Sequence, residues 1–398
     1  MALTIVSTFF PLPQDRGDPV RVLMLLRAVA AVRGYTLLAV RRPETTDAEV
    51  EQLRGLLPGV EVRDHRATPY RLNRLGPLGR HQEALLAGLP AWVRTRYSGT
   101  LHADLAGRGG AAVAIGEAAA AYFPGTTLDW HWDKANVLAA STRQDAAEAT
   151  TAPHRLRARF LTAVSTRFEG TALARCRTVS VTSADEDARL LAAHGRRADF
   201  VVPSCVPLPD GHRPRPVPRR LVWLSSFSYR SNLLGLLRFL DEGWPALRAA
   251  GHTLALVGSG LTGDVRARLA AYDGLEVLGF ADDLRPVLAS ARAGVVPLWS
   301  GAGVKLKTLT LLAHSVPVFS TPVGAEGVPP TDAVAVADTP AAMARQILDT
   351  SGAELDRRAA VAHRLVAEQF SAARFGSAMI GALARHGYLD PDGTRAGS

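Results

Sequence analysis

The stretch "GLEVLGFADDLRPVLASARAGVVPLWSGAGVKLKTLTLLAHSVPVFSTPVGAEGV", Gly274 to Val328, decides the fold. Three short runs in it, "LEVLGF", "AGVVPLW" and "VPVFST", read as continuous apolar strands with helical stretches between them. Strands apolar along their whole length are buried on both faces, as in a parallel sheet covered by helices. The same alternation continues outward. "RRLVWLSSF" and "HTLALVG" precede the stretch, and "AVAVAD" follows it. The first half repeats the pattern with "LTIVSTFF", "YTLLAV", "VEVRDH", "AAVAIGE", "TTLDWHW", "TVSVTS" and "DFVVPSC". Two such series predict an α/β protein of two Rossmann-like doubly wound domains facing a central cleft.

The 398 residues agree with two domains of roughly 200 residues each, since single cores stop growing well before that length. The division falls at a first domain over 1–202, a Pro-rich linker over 203–218 and a second domain over 219–371. A closing helix and flexible tail over 372–398 follow. No apolar run reaches the ~18 residues of a membrane span. The opening "MALTIVSTFFPLPQDRGDP" lacks a basic leader region and reads as a first strand, so a cytoplasmic setting is expected. Cys176 and Cys205 have neither metal spacing nor a pairing signature. The net charge of +9 would suit anionic partners, but the arginines are spread along the whole chain. Their one cluster, "HRPRPVPRR", alternates with proline and suits a stiff linker. Nucleic acid is therefore not expected as a partner, and membrane contact is at most peripheral.

Only three of the 46 basic residues other than His are lysines: Lys134, Lys305 and Lys307. Two of them stand in "GAGVKLK", between a strand and a helix placed at about 304–314. Glycines at a helix mouth let an anion approach bare backbone amides, and the helix dipole favours it there. Lys305 in the first turn is then expected to touch phosphate. Lys307, two residues on, cannot share its helix face and is expected to be secondary or exposed. Two solvated lysines are the competing reading. Arg230, in "SSFSYRSN" just before a helix placed over 232–250, would reach the same phosphates or stand as a surface arginine. Gly258, Gly260 and Gly263 form a G-x-G-x-x-G pattern with Glu276 beyond it. It follows the domain's second strand rather than its first, and Glu276 opens a strand rather than closing one. A tight turn is favoured over a dinucleotide site.

The opening stretch, with "FSYRSNLLGLLRFLDEGWPALR" and "HTLALVGSG", resembles the donor-binding half of the retaining B-type glycosyltransferases of the large bacterial family four. "FFPLPQDRGDPVRVLMLLRAVA", "LDWHWDKANVL" and "RCRTVSVTSADEDARLL" resemble segments of its first half more loosely. The resemblance implies the GT-B fold and a nucleotide-diphosphate sugar as co-substrate. Donor contacts would come from Gly301, Ala302, Gly303, Val304, Lys305, Lys307 and Thr310, with Gly279 and Phe280 near the base. On the sugar and acceptor side it implies Gly17 and Glu117, with His131 facing the sugar. Asp18 with Pro19 is also a helix-start signal on its own, so capping and binding both stand for it. His131, Lys305 and Arg230 are the catalytic candidates.

One departure matters. The family's ribose-gripping glutamate is replaced by Thr310, and its other acid, eight residues earlier, by Ala302. Either the donor carries deoxyribose, or the chain is a weakened relative acting as a partner protein. No metal or other cofactor is expected, because "DPD", Asp390 to Asp392, lies beyond any sheet. The expected activity is transfer of the sugar to a small-molecule acceptor with retention of configuration, in natural-product biosynthesis. A lipid-linked or polysaccharide acceptor met through the stretch around 63–105, and a dinucleotide-dependent oxidoreductase, are the alternatives.

Overall fold

The computed structural model describes residues 2–12, 17–72, 76–148, 151–211, 214–301 and 303–390. The chain divides into two compact units. One comprises residues 1–203 together with 375–398, and the other residues 204–374.

Among the described residues the first unit holds a seven-stranded parallel sheet in the order β3-β2-β1-β4-β5-β6-β7. Its strands are β1 Leu3–Ser7, β2 Thr36–Arg41, β3 Glu61–Arg66, β4 Ala111–Ile115, β5 Asp129–Asp133, β6 Thr178–Val181 and β7 Phe200–Val201. The central strands β1 and β4 are buried at every position, whereas edge strand β3 exposes or half-exposes most of its residues. That gradient follows from helices covering both faces of the middle of the sheet. Alanines 112, 114 and 118–121 pack with Tyr122, Trp130 and Trp132 in the core on one side.

A buried polar cluster fixes the connection after β5. Lys134 Nζ lies 2.6 Å from Glu169 Oε1 and 3.8 Å above the Trp132 ring. Glu169 also accepts the backbone N–H groups of Leu138 and Ala139, and meets His194 Nε2 at 2.7 Å. The third lysine of the chain is thus structural. Removing one partner of so enclosed an ion pair would cost about 3–5 kcal/mol.

Among the described residues the second unit holds a six-stranded parallel sheet in the order β10-β9-β8-β11-β12-β13. Its strands are β8 Arg220–Leu224, β9 Thr253–Val257, β10 Leu275–Gly279, β11 Ala293–Val296, β12 Val318–Ser320 and β13 Val334–Val336. Among the described residues all thirteen strands fall on the strand-like runs of the sequence. The helix expected over 232–250 is two helices, Arg230–Glu242 and Trp244–Ala249. Gly243 lies so close to Pro340 that a Cβ there would sit 2.7 Å from its carbonyl oxygen. Pro245 then opens the second helix, where its missing N–H costs nothing.

The closing helix, Ala372–Arg385, belongs with the first sheet. Phe375 lies under the Arg21 guanidinium at 5.1 Å, and the Tyr388 hydroxyl accepts from Thr178 Oγ1 at 3.1 Å. The Pro-rich segment expected as a linker groups with the second unit from Ser204 onward.

Candidate functional site

In each sheet the strand order reverses once, and ligands of open α/β sheets bind beyond the carboxyl ends of the strands at that reversal. In the second unit the reversal lies between β8 and β11. The loops leaving those two strands are "SSFSYRSN" and "GAGVKLK", the two segments singled out by their basic residues.

Lys307 joins them. It lies in the first turn of the helix Leu306–Ala313. Its Nζ donates to Ser225 Oγ at 2.5 Å and to Asn232 Oδ1 at 2.6 Å. Ser225 directly follows β8. Asn232 is buried in the first turn of the helix Arg230–Glu242 and donates to the Ser226 carbonyl at 3.0 Å. Burial, and then the charge of Lys305, pull the Lys307 ammonium down to about 7. The expectation of an exposed or secondary lysine is therefore corrected: Lys307 is inside the mouth and poised between charged and neutral.

Lys305 is also corrected. The helix starts one residue later than this lysine, which occupies the cap position. Its side chain is buried and folds back, donating to the Gly303 carbonyl at 2.6 Å and meeting Glu326 Oε2 at 3.1 Å. Glu326 arrives from the loop after β12, so Lys305 serves to hold two loops of the site together. Gly301, with φ +120°, takes a backbone conformation that a side chain would resist. Gly303 is buried and Val304 half-buried beside it, and Ala302 lies outside the described residues. Thr310 stands one turn beyond Lys307 on the same side of the helix. Arg230 opens its helix two residues before Asn232 and is exposed.

The glycines of the G-x-G-x-x-G pattern have a packing explanation. A Cβ on Gly258 would lie 1.6 Å from the Ser225 carbonyl oxygen, whereas one on Gly263 would meet nothing within 4 Å. The loop after β9 presses against the loop after β8, and Phe227 N donates to the Ser259 carbonyl at 2.8 Å. At the end of β10, the Gly279 carbonyl accepts from Gly258 N at 2.8 Å, and the Phe280 ring that follows is 56% exposed.

In the first unit the reversal lies between β1 and β4. The helix after β1 begins at Gly17, earlier than the cap signal at Asp18 implies, so Asp18 falls within its first turn. The side chains at 17 and 18 are outside the described set. Glu117 follows β4 and is buried, and its Oε1 accepts the backbone N–H groups of Ala135 and Asn136 at 3.1 and 2.7 Å. This carboxylate holds the loop after β5, which corrects its reading as a sugar contact.

His131 is corrected as well. It lies in the middle of β5, fully buried, with Nδ1 2.9 Å from Thr178 Oγ1 and Nε2 3.1 Å from Ser180 Oγ. Phe200 stacks on the ring at 4.9 Å. Burial pushes its pKa down to about 4, so the ring is neutral and internal rather than aimed at a sugar. Next to it, Arg21 contacts both Asp133 oxygens, at 2.6 and 3.0 Å. Burial alone would raise that carboxyl, but the Arg21 charge holds it below its ordinary value.

Ser225, Asn232 and Glu326 complete the site, and the sequence did not single them out. Asn232 carried a signal as a polar residue opening a helix after a serine-rich strand end. Glu326 carried none, because only the fold brings it to Lys305. Among the described residues no group of three or more His, Cys, Asp or Glu side chains could hold a metal ion. Asp390 is exposed and pairs with Arg33 at 3.5 Å, while Asp392 lies outside the described residues. Cys176 and Cys205 are both buried.

Residues 218–351 match the family model of "Glycosyl transferases group 1". No curated protein matches the chain. Several solved structures share the fold along nearly the whole length. A variant of S. aureus TarM, in complex with Fondaparinux, alpha-GlcNAc-glycerol and UDP, is 9% identical with a TM-score of 0.66, over 96% of this chain and 99% of that one. WaaG, a glycosyltransferase involved in lipopolysaccharide biosynthesis, is 14% identical with a TM-score of 0.63, over 95% and 98%. Anabaena HepE in complex with UDP-glucose is 12% identical with a TM-score of 0.62, over 97% and 100%.

Proposed function

We propose that the chain, whose residues 218–351 match the glycosyl transferases group 1 model and whose fold is shared with WaaG, is a glycosyltransferase, and that Lys307 is the group that holds the departing diphosphate of its nucleotide-sugar donor. The carrying observation is the place of this ammonium at the β8–β11 reversal, tied to Ser225 and Asn232.

Transfer breaks the bond from the anomeric carbon to the diphosphate oxygen and forms one to an acceptor hydroxyl. Negative charge collects on the leaving diphosphate. Lys307, the exposed Arg230 and the first turn of the helix Leu306–Ala313 neutralise it without requiring a metal. The acceptor's proton passes to the leaving phosphate on the same face, which gives retention of configuration. An NMR assignment of the product's anomeric configuration tests that step, and inversion would refute it. Phe280 offers a flat apolar surface for the base. The acceptor is a small molecule.

The pentose of the donor's nucleotide is read from Thr310. A carboxylate accepts from two vicinal hydroxyls, and a threonine has no equivalent pair of acceptors. We assign the chain a deoxyribose donor of the thymidine-diphosphate type. HepE and TarM were solved with UDP-glucose or UDP, so uridine donors are the competing outcome of a donor panel read by thermal shift.

Titration calorimetry with a nucleoside diphosphate tests the central assignment. Lys307→Met is expected to lose roughly ten- to hundredfold in affinity, as for one charge-assisted hydrogen bond. Unchanged affinity would overturn it. A second reading, a nucleotide-binding relative that does not transfer, draws on Thr310 and on the engagement of Lys305 by Glu326. Donor hydrolysis by the purified protein separates the two.

A further inference from the structure

The helix Ala152–Leu173 is anchored in the first unit by its second half. Its buried residues, Ser165, Phe168, Glu169, Ala172 and Leu173, recur at helical spacing along one side. On the opposite side of the first half, Leu156 and Phe160 stand four residues apart on one line, 73% and 47% exposed. Ala163 and Arg167 continue that line and are exposed. Arg155 and Arg159 flank it on one side and Arg157 on the other, all exposed. The single acid of the helix, Glu169, is turned inward to Lys134 and His194. The outer face therefore presents two large apolar side chains in a setting of cations, with no acid of its own helix to offset them.

A helix facing only water gains nothing from leucine and phenylalanine at the centre of its solvent side. Apolar residues bordered by arginine suit a helix lying in the plane of a membrane surface. We propose that this face docks onto an anionic lipid surface, with the arginines on headgroup phosphates and Leu156 and Phe160 at the acyl boundary. Charge complementarity selects the occupant. Two large apolar side chains fall well short of the roughly 800 Å² per partner that a stable protein interface buries. Arginines near an anionic leaflet each add to reversible attachment. Among the described residues no helix is long and apolar enough to cross a membrane, so the contact is made from one side. The proposal does not rest on the assignment of the donor site.

Vesicle flotation at low salt tests it, with vesicles of phosphatidylcholine alone and of equal parts phosphatidylcholine and phosphatidylglycerol. The full chain is expected to float with the mixed vesicles, not with the neutral ones, and to be released by added salt. The triple variant Arg155→Gln, Arg157→Gln, Arg159→Gln is expected to lose roughly a hundredfold in partitioning, and Leu156→Ser with Phe160→Ser roughly tenfold or more. All five positions are exposed, so circular dichroism melts of both variants should match the parent. Equal flotation with neutral vesicles, no flotation, or variants that float like the parent would overturn the proposal. A dimer seen by light scattering and abolished by the serine pair would assign the stripe to a second copy instead.

Discussion

Lys307 donates from the helix Leu306–Ala313 to Ser225, 82 residues earlier at the end of β8, and so bridges the two crossovers of the second sheet. Because burial and Lys305 hold this ammonium near 7, its charge is available at neutral pH and lost just above it. A diphosphate needs the charged form. Donor affinity is expected to fall up to about tenfold per pH unit above 7, until the pKa of the occupied site is reached. Titration calorimetry from pH 6 to 9 should show this slope in the parent and not in Lys307→Met. A flat parent profile would refute the coupling.

His131 is expected to matter for stability and not for turnover. His131→Ala removes a fully buried ring held by Thr178 and Ser180, at a cost of about 2–4 kcal/mol by chemical denaturation. The folded fraction should retain kcat within about threefold, since side chains away from the reacting atoms contribute little there. The sign of the pH effect follows from a folded pKa near 4 against an ordinary value near 6.5. The unfolded chain binds the proton more readily in that window, so the parent loses stability as pH falls through it. The alanine variant should lose less. A collapse of kcat with the fold intact would return His131 to the reacting centre.

Two of the glycines in the dinucleotide-like pattern should respond in opposite ways. Gly258→Ala puts a methyl group into the Ser225 carbonyl and must displace the loop that positions the partner of Lys307. A loss of about 2 kcal/mol or more in stability, together with weaker donor binding, is expected. Gly263→Ala meets open space in the first turn of a helix and should stay within about 0.5 kcal/mol. A dinucleotide site would make both changes harmful to ligand binding.

Thr310→Glu should restore the bidentate acceptor. If Thr310 sets the donor preference, this variant gains roughly tenfold in affinity for a uridine diphosphate over a thymidine diphosphate, relative to the parent. Competition calorimetry reads the ratio directly, and an unchanged ratio places the determinant elsewhere.

The strands were legible because short β-branched runs between glycine and proline leave little choice of element. Their alternation with helical stretches gave the doubly wound α/β architecture, whereas the strand order came from the structure alone. The roles of individual side chains were less legible. Lys305 folds back onto Gly303 and Glu326 while Lys307 reaches Ser225 and Asn232, because the helix begins at Leu306 and because Glu326 reaches Lys305 through the fold alone. His131 was misread for a local reason. Alternation along β5 sends Trp130 and Trp132 to one face, and His131 with Asp133 to the other, among Thr178, Ser180 and Arg21. The pattern holds that answer, whereas the functional reading of His131 comes from the family resemblance of "LDWHWDKANVL".

The return of the helix Ala372–Arg385 to the first sheet has a consequence for biosynthesis. On the ribosome, residues 204–374 emerge as an uninterrupted piece and can consolidate as soon as they clear the exit tunnel. The earlier-made sheet must wait for Phe375 and Tyr388, so the half translated first is the half completed last. A released chain truncated before Phe375 should therefore be protease-resistant in its later half and sensitive in its earlier one.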